Sequence, residues 1–546
     1  MKNICKCLNI LLLLALCTNA YSQNAPTYDR ANWLIKAENL KPKLTETIIH
    51  PFSIVKIIED TKSFQGWKAD SISTVEPIYK TSFKTINSVT VDFGNHYTGY
   101  FSFKLGVLKG TADGPVRFKL TFGEVPSELA VPFDPYTGGI SRAWLQDEVV
   151  TVMDIPASIT IQRRLAFRYV KIELLASSQY FDFNIAEMQL KAVTSVTKMP
   201  DPLVNTTEQI VKDIDKVGLN TLKECMQTVY EDGPKRDRRL WIGDLFLESL
   251  ANNYSFKKID LTKRCLYLLA GLSGEEGYLI GTVFETPEPH AQAGQYLFDY
   301  SLLYNAALKE YVTATNDVET ANDLWPVAKR QLDIIYKYVQ PNGLLNYEKA
   351  NAEWWLFFDW KDGLNKEASL QGLSIFALKQ TYELAKMLNK QDELKDVPKL
   401  IQKMTDASRK QLFNKVSHLF ESGKEKQISY ASQIWMILGG VLSKEESQET
   451  LKALVNSEKA VTPGGPYMYH YFIQALINSG LNKEAKNYLI EYWGGMVKKG
   501  AYTFWEVYNP KNELLSPYNF YPVNSYCHAW SCTPVYFIRK YPEIFQ

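Results

Sequence analysis

The sequence predicts a chain of two parts, an antiparallel β-sandwich or jelly roll over residues 23–200 followed by a helical toroid over 203–546. Three observations predict this. Strand-like runs alternate with turn residues up to about residue 200, and the hydrophobic period then changes to that of amphipathic helices. Between them, Met199-Pro200-Asp201-Pro202 has the composition of a linker. And 546 residues is too long for one ordinary core, so more than one domain is expected.

The chain opens on a targeting segment, residues 1–22. Lys2 and Lys6 make a basic start, and Leu8 to Leu16 is an apolar run too short to span a bilayer. Small residues for cleavage follow at Thr18-Asn19-Ala20 or Ala20-Tyr21-Ser22. Cys17 offers a lipoprotein as the alternative, although the bulky Leu16 before it makes a poor lipid-attachment box. No later run reaches membrane-spanning length. The expectation is an exported protein, periplasmic or extracellular, without a membrane span. Cys225, Cys265, Cys527 and Cys532 remain after cleavage and show neither metal-ligand spacing nor a disulfide framework, so buried small apolar residues are expected.

The β part is read from about residue 24. Its runs are Ser88–Phe93, Tyr100–Leu105, Val116–Phe122, Glu148–Met153, Ser158–Ile161 and Arg168–Leu175. Each is short, rich in β-branched and aromatic residues, and bounded by Gly, Pro, Asn or Asp. In the second part, Glu208–Thr228, Leu245–Ala270, Gln295–Ala314, Val318–Val339, Lys366–Leu388, Leu394–Phe413, Pro466–Ser479 and Lys483–Lys499 carry apolar residues at i, i+3 and i+4. Roughly eleven or twelve helices follow one another without a sheet between them, which suggests helical hairpins closed into a toroid. A solenoid is the alternative, but no fixed internal repeat supports it.

Composition narrows the function. With 61 basic and 60 acidic side chains the net charge is +1, leaving no electrostatic footprint for nucleic acid or an anionic membrane. Aromatics reach 13%, and rings beside polar groups suit sugars, which present flat C–H faces next to hydroxyls. The six His are scattered, with no HExxH, CxxC or calcium loop, so no metal and no cofactor is expected.

Four loops hold the candidate chemistry. Tyr230 to Asp244 packs four acids, four bases and a Trp between two helical patterns, with Gly233-Pro234 fixing its path. Asp232, Asp237, Asp244 and Arg236 are the parts an acid/base site for a polar ligand uses. Glu353 to Gly363 sets Trp354, Trp355, Phe357, Phe358 and Trp360 beside Asp359, suiting a wall on which a pyranose packs while Asp359 takes its hydroxyls. In Gly500 to Glu506 the one acid, Glu506, lies among small and aromatic neighbours. Desolvation is expected to raise its pKa toward that of a working general base. Ser525 to Ser531 contributes His528, for a sugar hydroxyl or a neighbouring carboxylate. Carboxylates framed by aromatics are the equipment of glycoside hydrolysis.

These motifs resemble the α-L-rhamnosidases of glycoside hydrolase family 78. The resemblance rests on Asp232-Gly233-Pro234-Lys235-Arg236-Asp237 with Trp241-Ile242-Gly243-Asp244, on Phe358 to Glu367 with Gln371-Gly372, on Tyr492 to Met496, on Thr503-Phe504-Trp505-Glu506 and on Ser525 to Trp530. Val91 to Gly94, Gly123-Glu124, Trp144 to Asp147 and Arg163 to Tyr169 look like the family's leading β-sandwich. The resemblance implies an (α/α)6 barrel and inverting exo-hydrolysis of terminal α-L-rhamnose from oligosaccharides or polysaccharides. It implies Asp237 as general acid and Glu506 as general base. It places Asp232, Arg236, Trp241, Asp244, Trp355, Asp359, Trp360 and His528 at sugar-binding positions. Two positions depart from the family pattern: Asp237 stands where many members have Glu, and Gly233 where they have Cys. The chain also reaches Gln546 just after its last predicted helix, where members usually continue into a β-domain, so a trimmed architecture is expected. Two other functional readings share this fold. One is the same mechanism on a different deoxy-sugar or a uronic acid, whose carboxylate Arg236 and Lys235 would tolerate. The other is a glycan-binding protein on a hydrolase scaffold.

Overall fold

The computed structural model describes residues 28–546, so the targeting segment lies outside the described residues. The first element departs from the expected β pattern. Helix α1 (Arg30–Asn39) buries Trp33 and Ala37 against the helical domain rather than joining the sheet.

Nine strands follow: β1 (Thr45–Ile49), β2 (Ser53–Glu59), β3 (Trp67–Ser73), β4 (Ser88–Lys109), β5 (Val116–Gly123), β6 (Asp147–Val152), β7 (Ala157–Thr160), β8 (Leu165–Ala176) and β9 (Asp182–Thr194). All pairings are antiparallel. The runs read as two strands, Ser88–Phe93 and Tyr100–Leu105, are the two arms of the single strand β4. Its first arm pairs with β2 and β8, its second with β7 and β9, and the register shifts between Asp92 and Tyr97. Gly94 in that shift has φ +78°, a conformation glycine takes without steric cost. The arms carry two layers whose inner faces meet: Phe103 of one arm lies edge to face with Phe118 of β5 at 5.7 Å, and Phe101 with Phe122 at 5.5 Å. The sandwich is therefore as predicted.

After the irregular Met199–Pro202 link, twelve elements alternate between an outer and an inner ring. They are α2 (Gln209–Cys225), α3 (Ile242–Asn253), α4 (Ile259–Gly271), α5 (Phe298–Thr315), α6 (Val318–Tyr338), α7 (Glu367–Met387), α8 (Val397–Gln411), α9 (Tyr430–Leu438), α10 (Lys444–Val455), α11 (Pro466–Asn478), α12 (Asn482–Lys498) and α13 (Pro534–Lys540). Helices α3, α5, α7, α9 and α11 pack in sequence around the centre. The turn Ala529–Cys532 and α13 close the ring back onto α3. Helix α8 buries one face, whereas α3 and α5 are buried on nearly all sides. This is the (α/α)6 barrel, and no regular solenoid stack is formed. The close α7–α9 crossing depends on Gly372, where a Cβ would stand 2.5 Å from the Trp435 backbone.

The continuous pattern Leu245–Ala270 is two helices, α3 and α4, separated by a turn in which Lys257 has φ +55°. Cys225, Cys265, Cys527 and Cys532 are all buried, as expected. No helix among the described residues is long and apolar enough to cross a membrane.

Candidate active site

The charged loop between α2 and α3 forms one wall of a pocket at the mouth of the barrel. Its path is closed by its own backbone: the Asp232 N–H donates to the Arg239 carbonyl at 3.0 Å, and the Arg238 N–H to Gly233 at 3.0 Å. The buried Asp232 carboxylate accepts the Asp237 N–H at 3.0 Å and the Arg239 N–H at 3.1 Å, so it fixes the loop as well as facing the pocket. A Cβ at 233 would stand 2.5 Å from the Arg236 carbonyl oxygen and 2.6 Å from Ser525 Oγ. Gly233 is thus what lets the loop lie against the Ser525 segment.

The sandwich holds this loop from behind. Lys235, with 0% exposure, donates to Glu128 Oε1 at 2.5 Å and to the carbonyls of Pro522 and Asn524 at 2.9 and 2.7 Å. Glu124 lies 3.6 Å from the same ammonium and accepts the Tyr526 N–H at 2.7 Å. Arg164, immediately before β8, donates from Nη2 to both carboxylate oxygens of Glu231, at 2.6 and 2.8 Å. The loop is consequently positioned by both domains.

The next residue, Arg236, is buried and reaches both candidate catalytic acids. Its Nη2 pairs with Glu506 Oε2, and its Nη1 lies 3.3 Å from Asp237 Oδ1. Its Nε donates to the Val523 carbonyl at 3.1 Å. Glu506 also accepts from the Tyr518 hydroxyl at 2.6 Å and the Ser525 N–H at 3.1 Å. Burial pushes the Glu506 pKa up, but the charges of Arg236 and His528 and the hydrogen bonds from Tyr518 and Ser525 outweigh it and hold the carboxyl below its ordinary value. The expected upward shift is therefore corrected, because the neighbour that decides it, Arg236, is distant in sequence.

Asp244 and Asp232 move the other way. Burial pushes Asp232 up to about 8, with the Asp237 charge adding to it and His528 opposing it. Burial also raises Asp244, against the pull of His528. His528 itself is raised, because Asp244, Glu506 and Asp232 outweigh its desolvation. Its Nε2 stands 3.5 Å from Asp244 Oδ1, an ion-pair distance too long for a hydrogen bond. Both His528 ring nitrogens, Asp244 Oδ1 and Trp360 Nε1 are buried without a protein partner. A polyhydroxylated ligand supplies the donors and acceptors such groups lack.

Aromatic rings complete the enclosure. Trp241 meets Trp355 and Tyr300 edge to face at 6.2 Å, Phe357 meets Trp360 at 5.0 Å, and Phe357 stacks on Trp530 at 5.6 Å. Trp355, 42% exposed, forms the open rim. Asp232, Arg236, Asp237, Trp241, Asp244, Trp355, Trp360, Glu506 and His528 thus all line one pocket.

Asp359 does not line it. Its Oδ2 accepts the Gly464 N–H at 2.6 Å, which ties the aromatic loop to the approach of α11, while its buried Oδ1 has no protein partner. Lys235 is turned away and Arg236 is occupied by Glu506, so the cationic capacity expected to tolerate a substrate carboxylate is already used within the protein. Sequence reasoning missed Tyr518, Tyr300 and Leu297. Tyr300 reads as ordinary core of an amphipathic helix, and Tyr518 lies in a segment with no recognisable pattern. Phe357 and Trp530 also line the pocket, and their clusters were recognisable. Among the described residues no group of three His, Cys, Asp or Glu is placed to hold a metal ion.

A helical toroid with carboxylates and an arginine inside an aromatic wall is the arrangement of a glycoside hydrolase. Comparison with known proteins gives the family. The N-terminal domain model of the glycosyl hydrolase family 78 α-rhamnosidases matches residues 51–192, and the bacterial α-L-rhamnosidase six-hairpin glycosidase domain matches residues 202–541. The chain is similar to a rhamnosidase from Klebsiella oxytoca with rhamnose bound, at 38% identity and a TM-score of 0.90, over 94% of this chain and 99% of that one. It shares its fold with the family 78 rhamnosidase of Bacillus sp. GL1 at 20% identity and a TM-score of 0.69, over 83% of this chain and 46% of that one. It likewise shares it with the Streptomyces avermitilis α-L-rhamnosidase complexed with L-rhamnose, at 14% identity and 0.62, over 91% and 44%. A search of curated proteins returned no match. The chain belongs to the family 78 α-L-rhamnosidases and is a glycoside hydrolase.

Proposed function

We propose that this protein is an exported, inverting exo-α-L-rhamnosidase acting on pectic or other rhamnosylated glycans, with Asp237 as general acid and Glu506 as general base. The observation that carries the assignment is the Arg236 bridge. One guanidinium contacts both carboxylates from inside an aromatic pocket. Held by the same guanidinium, the two acids are close enough to act on one glycosidic bond, as the paired carboxylates of glycoside hydrolysis do. Ionised Glu506 takes a proton from that water as its oxygen attacks C1. Asp237 gives its proton to the departing glycosidic oxygen, and the C1–O bond breaks. Asp232, Asp244 and His528 take sugar hydroxyls, while Trp241, Trp355 and Trp360 pack against the C–H faces.

The rhamnose bound to the Klebsiella oxytoca relative supports the sugar. The basic, apolar and small-residue order of residues 1–22 supports export. The test is rhamnose release from an aryl α-L-rhamnoside by the wild type and by Asp237→Asn and Glu506→Gln. Each variant is expected to lose on the order of 10²–10⁴ in kcat. Wild-type rates in both would refute the roles. Incubation with rhamnose-rich pectic fragments, with identification of the sugar released, tests the substrate class.

A further inference from the structure

Glu506 has few ways left to hold a water. A carboxylate offers about four lone-pair positions, two on each oxygen. On Oε2, Arg236 and the Ser525 N–H occupy them. On Oε1 only the Tyr518 hydroxyl is present, at 2.6 Å. The open position is therefore on Oε1, beside Tyr518. The phenol's own orientation is determined, because its oxygen accepts from Arg236 Nη1 at 3.1 Å and its single proton goes to Glu506. The ring is held too, with the Arg236 guanidinium 4.3 Å from its centroid and Trp360 edge to face at 5.8 Å.

The sandwich sets this tyrosine in place. The Gly139 N–H donates to the Tyr518 carbonyl at 2.8 Å. Phe133, Tyr136 and Ile140 of the β5–β6 connection cluster with Tyr518, Phe520 and Val523. Residues nearly four hundred positions apart are thereby joined beside the proposed base.

We propose that Tyr518 is a positioning residue that selects Oε1 of Glu506 as the oxygen accepting the water proton, and that the β-sandwich contributes to hydrolysis through this contact. The proposal rests on the inverting reading given above. In the step, the water oxygen bonds C1, its proton passes to Oε1, and the glycosidic oxygen leaves with the proton of Asp237. Tyr518→Phe keeps the ring and removes only the hydroxyl. The charged and titratable groups around Glu506 are then Arg236, His528 and Asp244, with Asp237 reached through Arg236; all four side chains are kept, and Arg236 Nη1 loses only its 3.1 Å contact to the hydroxyl.

The experiment measures kcat, KM and the pH profile of kcat/KM on an aryl α-L-rhamnoside, with rhamnose binding by calorimetry as the check that the pocket is intact. Tyr518→Phe is expected to lower kcat roughly 10- to 100-fold while KM and rhamnose affinity stay within about 2-fold. The acid limb moves to higher pH, because a hydrogen bond that favours ionised Glu506 is gone. A role in structure alone would weaken rhamnose binding and leave the limb where it was, which overturns the proposal. So does an unchanged kcat with an unmoved limb. The first-formed rhamnose anomer from the wild type separates the two readings: the retained anomer sinks the inverting mechanism itself, whereas inversion with an unaffected Tyr518→Phe sinks only the role of Tyr518.

Discussion

Replacing Lys235 with Met tests how the two domains share the site. The side chains are similar in length, so the change removes a charge with little loss of volume. In the wild type the ammonium serves Glu128, Glu124 and two carbonyls and has no access to water. Breaking a buried pair costs about 3–5 kcal/mol, because the partner left behind is an uncompensated charge. Here the lower end applies. Burial already pushes Glu128 up to about 7 despite the opposing pull of Lys235, so without Lys235 it takes up a proton near neutral pH. The expected loss is about 3 kcal/mol, measured by urea unfolding followed through tryptophan fluorescence. The sign of its pH dependence is fixed. With its folded pKa raised further above its unfolded value, Glu128 stabilises the variant at low pH, and that contribution is lost as pH rises through the folded value. The deficit against wild type therefore grows as pH rises above about 7, where the wild-type carboxyl ionises and the variant's does not. Activity falls as well, since Lys235 anchors the peptide before Arg236 and the carbonyls either side of Val523, which holds Arg236 Nε. Adding Glu128→Gln should restore part of the stability. A loss under about 1 kcal/mol with unchanged kcat would show that the lock does not position the loop.

Other outcomes follow from individual contacts. Trp355→Ala removes the exposed rim of the wall and should raise KM about 10-fold with a smaller effect on kcat, read from steady-state kinetics. Asp359→Ala leaves the Gly464 N–H without an acceptor. It should cost about 1–3 kcal/mol in denaturant unfolding, with rhamnose affinity unchanged because Asp359 lies off the pocket. His470 is buried between α11 and α13, and burial pushes its pKa down to about 3. Its folded value lies below its unfolded one, so its neutral form stabilises the protein above the unfolded pKa and this is lost as pH falls toward 3. His470→Leu should therefore flatten the acid limb of thermal stability between about pH 6.5 and 3.

Much of the architecture was legible because it is written in local periodicity. The sandwich runs, the Met199–Pro202 link and most of the helices follow from period and turn residues within a few positions. What escaped depends on partners elsewhere. Helix α1 is short and half polar, and Trp33 and Ala37 acquire meaning only against α4. The turn between α3 and α4 interrupts an apolar pattern that continues on either side of it. At the site, the pocket-lining acids could be named from their loops, but their ionisation could not. Glu506 is governed by Arg236, 270 positions away. Asp359 looked like a sugar ligand because its neighbours are aromatic. One of its oxygens, Oδ2, is committed to a backbone N–H more than a hundred residues on.

The most direct test of the mechanism is the configuration of the sugar at the moment of release. Hydrolysis of an aryl α-L-rhamnoside, followed by proton NMR before mutarotation, should show β-L-rhamnose first and the α anomer only as equilibrium is approached. Initial α-L-rhamnose would mean that configuration is retained, and would contradict a water held by Glu506 across the sugar from Asp237.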